Sequence, residues 1–180
     1  MALRVEGGSA MKITIHITIQ SDNGQLNVAQ EVAQLDRATL RPETVGLSLA
    51  EARSILAGLE QTVVEQQIAE FIAQQRTCSH CGHERSRKGS HHIVFRPPFG
   101  KLRLESPRFY HCHCRSDDRT SFSPLAGLLQ GRTHPELVYL ETKFAALVSY
   151  GLTVELLKEV LPISQDLSTT AIRRRVRQMA

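Results

Sequence analysis

Two closely spaced cysteine pairs constrain this chain more than any other feature of its sequence. Cys78 and Cys81 form a C-x-x-C turn followed by Gly82, and Cys112 and Cys114 form a C-x-C pair. Two tight turns joined by a short hairpin provide the tetrahedral set of thiolates that a structural zinc ion requires. We therefore predict a zinc-ribbon-like β-hairpin whose ligands are Cys78, Cys81, Cys112 and Cys114.

The identity of the fourth ligand stays open at this stage. A two-residue step makes an awkward chelate, so His83, His111 or His113 could replace one thiolate. A closed site with four protein ligands leaves no position for water, so the predicted zinc is structural. A catalytic zinc on His91, His92 and His111 is an alternative, although no carboxylate is placed beside them as an obvious general base.

The charge of the chain is divided between two parts. Residues 1–75 hold 5 Lys or Arg against 9 Asp or Glu, whereas residues 76–180 hold 17 against 9. Seven of the eight histidines also lie in the second part. A basic, histidine-rich half indicates a polyanionic partner, most often nucleic acid.

Several classes of protein are excluded by what the sequence lacks. No stretch approaches the roughly 20 apolar residues that span a bilayer, and no secretory signal is recognisable. Four cysteines without a signal indicate a reducing compartment, so we expect a cytoplasmic, nucleoid-associated location. The glycine motifs of nucleotide-binding proteins and the motifs of zinc proteases and serine hydrolases are absent. Either Met1 or Met11 could be the start codon.

The N-terminal part, residues 1–75, is predicted to begin with a β-hairpin. Isoleucines alternate with polar residues over residues 11–20, a period of two that is typical of a half-buried strand. An Asp-Asn-Gly sequence at 22–24 predicts a turn, and residues 27–35 are predicted to return as the second strand.

A long helix is predicted to follow, over about residues 48–75. Ser48 and Glu51 have the spacing of a capping box, which marks the start of a helix. Apolar residues then recur at intervals of three and four. Two roles stay open for this apolar face: packing on the hairpin, or homo-oligomerisation through a coiled-coil seam.

The C-terminal part, residues 133–180, is predicted to be helical. A helix at 153–161, a turn, and a helix at 168–180 give a helix-turn-helix outline, and Gly151 is expected to end the helix before them. With the zinc-ribbon-like region at 76–132 between the two parts, the predicted fold class is α+β.

The last helix is predicted to be apolar inward and cationic outward. Ile172, Val176 and Met179 form its apolar stripe, which Arg175 flanks. The opposite side carries the residues predicted to contact DNA, namely Thr170, Arg173, Arg174 and Arg177. A second phosphate-binding patch is predicted from the basic residues Arg85, Arg87 and Lys88. An ordinary solvated basic helix end is the alternative.

Several ordered blocks of sequence carry a resemblance to a known family. They are RPETVGLSLAEA at 41–52, FGKLRLESPR at 99–108 with Cys112-x-Cys114, FSPL at 122–125, PELVYLE at 135–141 and SYGLT at 149–153. Together they resemble the N-terminal region of the ISKra family of bacterial insertion-sequence transposases. The resemblance covers about residues 11 to 180.

This resemblance implies a longer protein. A catalytic DDE domain with an RNase H-like fold and two metal ions should follow the DNA-binding part, and the sequence stops before it. No Asp or Glu of this chain can be given a catalytic role, so we expect no enzyme activity from it alone. The family further implies binding to double-stranded terminal inverted repeats and oligomerisation there. A truncated copy, a first reading frame before a frameshift, and a fragment all stay open.

We therefore predict a DNA-binding region that recognises transposon ends for DNA transposition and carries a structural zinc ion. One alternative is a free-standing zinc-containing repressor, which the same residues would support. A third hypothesis is a small metal-dependent hydrolase or nuclease that uses the histidine cluster.

Overall fold

The computed structural model describes residues 10–20, 27–114 and 120–179. Five strands and five α-helices within these residues confirm the α+β class. The chain forms two compact units that meet at Thr62 and Val63, inside the long helix. None of the helices in the described segments is long and apolar enough to cross a membrane.

The first unit begins with a two-stranded antiparallel hairpin. Strand β1 is Met11–Gln20 and strand β2 is Asn27–Arg37, two residues longer than the predicted second strand. Ile13 pairs with Leu35, and Leu35 is the buried residue of the hairpin. The alternation makes Ile15, Ile17 and Ile19 half-buried, whereas Ile13 is exposed. The predicted turn at 22–24 lies outside the described residues.

Helix α1, Leu49–Arg76, begins at the predicted capping box. The Ser48 hydroxyl oxygen accepts a hydrogen bond from the Glu51 amide at 3.2 Å, and the Glu51 carboxylate accepts one from the Ser48 amide at 2.8 Å. The same carboxylate binds the Arg37 guanidinium at 2.7 Å. These contacts connect the end of β2 to the start of α1.

The first half of α1 approaches β2 closely at Gly58. A Cβ atom placed on this glycine would lie 3.0 Å from Cγ1 of Val32 and 3.1 Å from the Val32 carbonyl oxygen. Absence of a side chain thus permits this close approach. Packing on the hairpin, one of the two roles predicted for the helix, is observed at this point. Homo-oligomerisation stays a prediction.

The second unit contains a three-stranded antiparallel sheet in the order β3-β4-β5. Strand β3 is Arg87–Phe95, β4 is Leu102–Tyr110 and β5 is Ser121–Phe122. Helix α2, Pro124–Leu128, follows β5 directly. The sheet, α2 and the second half of α1 enclose one hydrophobic core, formed by Val64, Ile93, Phe95, Leu104 and Leu125.

Three further helices complete this unit: α3, Pro135–Leu147, α4, Tyr150–Val160, and α5, Thr169–Met179. Every pair of them is in contact. They surround a second hydrophobic core, formed by Leu137, Val154, Leu157, Ile163 and Ile172. Burial of one stripe on each helix therefore holds the predicted helix-turn-helix outline together.

The predicted boundary at Gly151 is wrong. Helix α3 ends earlier, at Leu147, and Gly151 lies in the first turn of α4. Ser149 is the N-cap of α4, where its hydroxyl oxygen accepts a hydrogen bond from the Leu152 amide at 3.3 Å. A serine cap outweighs the weak helix propensity of a glycine that follows it in the first turn.

Candidate metal centre and basic surfaces

The first cysteine pair lies on a tight turn between α1 and β3. The Gly82 amide donates to the Cys78 carbonyl oxygen at 2.8 Å, and the Cys78 amide donates to the His83 carbonyl oxygen at 2.9 Å. Gly82 has a φ of 73°, a left-handed conformation that favours glycine. This turn places the sulfurs of Cys78 and Cys81 on the same side.

The second pair follows β4, whose end is hydrogen-bonded on both sides. The Tyr110 amide donates to the Ser86 carbonyl oxygen at 3.0 Å, on the side of the first pair, and the His111 amide donates to the Thr120 carbonyl oxygen at 3.0 Å, on the side of β5. The β3–β4 pairing therefore brings the segment before β3 and the segment after β4 together. This is the arrangement that the spacing of the two cysteine pairs predicts.

The four sulfur atoms form one compact group. Sγ of Cys78 lies 3.6 Å from Sγ of Cys114, and Sγ of Cys81 lies 3.4 Å from Sγ of Cys112. All four lie within 4.8 Å of one another, and all four cysteines are free thiols. A tetrahedral centre with Zn–S bonds of about 2.3 Å separates its sulfurs by about 3.8 Å. The cluster can therefore hold a metal ion.

The environments of two thiols shift their pKa values in opposite directions. Hydrogen bonds from the Cys81 and His80 amides lower the pKa of the Cys78 thiol to about 6. Desolvation, followed by hydrogen bonds with the neighbouring thiols, raises the pKa of Cys114 to about 12. Four thiolates this close repel one another, and a bound divalent cation removes that repulsion by stabilising every thiolate.

Histidines do not belong to the cluster in the described part of the chain. The group consists of the four cysteines alone. The His111 ring packs instead on Phe122, with 4.7 Å between the ring centroids. His91 and His92 are neighbours in β3, so their side chains point to opposite faces of the sheet. One metal ion cannot bind both of them in this strand.

Helix α5 presents its arginines to solvent. Ile172 is fully buried, whereas the predicted DNA-contacting residues Thr170, Arg173, Arg174 and Arg177 are all exposed. The side chain of Arg175 points inward and binds the buried Glu141 of α3. The helix therefore has one apolar face, one inward arginine and one cationic face.

The second predicted basic patch is partly engaged in contacts within the fold. Arg85 donates to the Thr77 carbonyl oxygen at 3.0 Å, and its guanidinium lies 5.4 Å from the centre of the Phe122 ring. Arg87 forms an ion pair with Glu105, and Lys88 donates to the Ser121 hydroxyl at 3.2 Å. Only Arg87 and Lys88 are exposed, so they are the better placed for phosphate.

Sequence reasoning missed the ion pair between Glu141 and Arg175. Glu141 interrupts the apolar stripe of α3, at four residues after Leu137 and three before Phe144. A carboxylate in such a position needs a buried cation, because an unpaired buried charge is costly. The sequence carries this spacing as a signal, whereas for Arg175 it shows only a place beside the apolar stripe of its own helix.

The chain was compared with known proteins at three levels: family models, curated sequences and solved structures. None of these comparisons gives a match. The chemistry of the four thiols and of the exposed arginines therefore carries the functional conclusion.

Proposed function

We propose that this chain is a DNA-binding module built around a structural zinc ion. The observation that carries the proposal is the division of α5 into a buried face at Ile172 and an exposed cationic face. A helix of this kind, packed on a preceding helix through a short turn, can enter the major groove with its outward residues. Arg173, Arg174 and Arg177 would then bind guanine edges or phosphates.

Zinc is the metal that best suits the four thiols. Cysteine thiolates in tetrahedral array favour zinc or an iron–sulfur centre, and this set closes around a single ion. Cys78 and Cys81 would bind from the turn before β3, and Cys112 and Cys114 from the segment after β4. Bound there, zinc supplies stability and no reaction chemistry, because no position is open for water or substrate.

The proposed DNA is the terminal inverted repeat of an insertion sequence, within the bacterial nucleoid. Its support is the resemblance of five sequence blocks to the ISKra transposases, together with the basic charge of residues 76–180. In this role the chain would bind transposon ends and would have no strand-transfer activity by itself. Two copies would associate through α1.

Fluorescence anisotropy tests the proposal. The zinc-loaded chain is titrated into a duplex from the flanking element end and into a scrambled duplex at near-physiological salt. We expect binding to the end sequence to be at least tenfold tighter, a difference of about 1.4 kcal/mol. Equal, salt-sensitive binding to both duplexes would contradict end recognition. A preference for the promoter of the chain's own gene would favour the free-standing repressor.

Variants of α5 identify the contact surface. Replacement of both Arg173 and Arg177 with alanine should flatten the dependence of log K on log salt by about one unit per lost phosphate contact. Arg103→Ala is the matched control, since Arg103 is an exposed arginine on β4. If the double variant and the control bind alike, α5 is not the contact surface.

A further inference from the structure

A further basic feature lies beside α5 and shares only Arg174 with the predicted DNA-contacting residues of that helix. A cavity of about 530 Å³ is lined by Arg96 after β3, by the segment before α3, by α3, and by α5 with the residues just before it. Four arginines from three parts of the chain and one aspartate line it: Arg96, Arg132, Arg174, Arg175 and Asp166. Gln130, Thr133 and Gln178 add polar groups to the wall.

The negative charges near this cavity are already paired. Asp166 binds the Lys101 ammonium at 2.6 Å, and Glu141 binds Arg175 through two hydrogen bonds of 2.5 Å. Arg132 and Arg174 are exposed, and neither takes part in the ion pairs found among the described residues. The cavity therefore has an excess of cationic hydrogen-bond donors.

Arg132, a lining residue of the cavity, is held in an unusual backbone conformation. Its φ is 52°, the one positive value among the described residues other than glycine. The Arg96 amide donates to the Arg132 carbonyl oxygen at 2.9 Å, and the His134 amide donates to the Arg96 carbonyl oxygen at 2.9 Å. These hydrogen bonds fix the left-handed turn and connect it to Arg96. Such conformations are retained where they position a functional group.

We infer that this cavity binds a phosphate group of the DNA backbone. Arginine guanidinium groups match phosphate oxygens in paired hydrogen bonds, and several of them converge here. Arg174 belongs both to the exposed face of α5 and to the cavity wall. A DNA strand that passes α5 would thus reach Arg96 and Arg132. A phosphate contact of this kind fixes the position and orientation of a recognition helix on the duplex. The inference rests on the proposed DNA-binding function.

Charge-removing variants test the cavity. Arg132→Asn removes the guanidinium and keeps a residue that tolerates a left-handed backbone. Arg96→Gln removes the second cation, and Arg103→Gln on β4 is the control. Binding of a 30-bp duplex is measured by anisotropy against NaCl concentration, binding of inorganic pyrophosphate by calorimetry, and folding by thermal unfolding.

We expect both cavity variants to unfold like the native chain, to lose pyrophosphate binding, and to flatten the salt dependence of duplex binding by about one unit each. Arg103→Gln should behave as the native chain in every assay. An unchanged salt dependence in Arg132→Asn and Arg96→Gln, while the Arg173 and Arg177 double variant loses affinity, would overturn the inference and leave the proposed function standing.

Two other outcomes are also decisive. Arg132→Asn could abolish pyrophosphate binding and leave duplex binding unchanged. In that case the occupant of the cavity is a free phosphorylated molecule, and the assignment to DNA is wrong. If the native chain binds no duplex under any salt condition, the proposed function fails, and the assignment of the cavity to DNA fails with it.

Discussion

Glu141 of α3 and Arg175 of α5 form a buried, two-pronged ion pair. Nε and one terminal nitrogen of the guanidinium each donate to a separate carboxylate oxygen at 2.5 Å. The Glu141 side chain is fully buried and the Arg175 side chain is 11% exposed. The pair fixes the rotation of α5 about its axis, so that Arg173, Arg174 and Arg177 point outward.

Removal of one partner should be strongly destabilising. We expect Arg175→Met to lower the free energy of unfolding by about 3–5 kcal/mol, because the remaining carboxylate is buried and unpaired. The double variant Glu141→Leu with Arg175→Met should recover most of that loss. Replacing a buried ion pair with apolar residues of similar volume often leaves the free energy of unfolding unchanged. Denaturant unfolding of the three chains gives both values. A single variant as stable as the native chain would contradict a structural role for the pair.

Two glycines within helices should respond in opposite ways to alanine. At Gly58 the new Cβ would meet the side chain and carbonyl oxygen of Val32, so we expect Gly58→Ala to destabilise the first unit despite its better helix propensity. At Gly127 in α2 no atom lies within 4 Å of the new Cβ, and Gly127→Ala should stabilise by up to about 1 kcal/mol. Thermal unfolding compares them. If both variants gain the same amount of thermal stability, α1 does not approach β2 as described.

The contacts of Glu51 predict a specific acid dependence of stability. Hydrogen bonds from Arg37, and next from Ser48, lower the pKa of this carboxyl group from 4.5 to about 2. A lowered pKa in the folded state contributes stability above the unfolded value and loses it as pH falls. The contribution of Glu51 should therefore be present above pH 4.5 and decrease toward pH 2.

This dependence can be measured by thermal unfolding between pH 5 and pH 2. Glu51→Gln should remove part of the slope of stability against pH in this range, because the amide does not titrate. Glu43→Gln, in the exposed turn Pro42–Thr44 before α1, is the matched control. If the slope is the same in the native chain and in Glu51→Gln, the carboxylate is not held by Arg37.

Loss of one thiol should release the metal. We expect Cys78→Ser to reduce bound zinc from one equivalent to a small fraction, because a hydroxyl is a poor zinc ligand and the remaining site is incomplete. His113→Ala should retain full zinc, since the cluster of sulfurs contains no histidine. Metal analysis after gel filtration measures both. Zinc loss in His113→Ala would instead support a site in which a histidine replaces one cysteine.

Local sequence patterns predicted those parts of the fold that depend on near neighbours. The alternation in β1, the capping box of Ser48 and Glu51, and the two cysteine pairs each contain their own signal within a few residues. The α+β class followed from them. The cysteine cluster needed one further assumption, that a hairpin brings two turns together, and the β3–β4 pairing provides it.

Features that depend on distant residues could not be predicted in the same way. Strand β5 is only two residues long and is defined by its pairing with β4, so no period was available to detect it. Glu141 and Arg175 are 34 positions apart, and neither residue indicates the other. The cavity beside α5 also requires Arg96 to lie near residues of α5, which only the packed fold brings about.

The buried face of α5 has a consequence for how such a chain can diverge. Ile172 and Val176 pack in the core and Arg175 binds Glu141, so these three residues hold the helix in place. The residues at 170, 173, 174 and 177 are exposed and are not part of this core. Related chains could therefore exchange the residues at 170, 173, 174 and 177 one at a time, acquiring new targets while the scaffold beneath them stays constant.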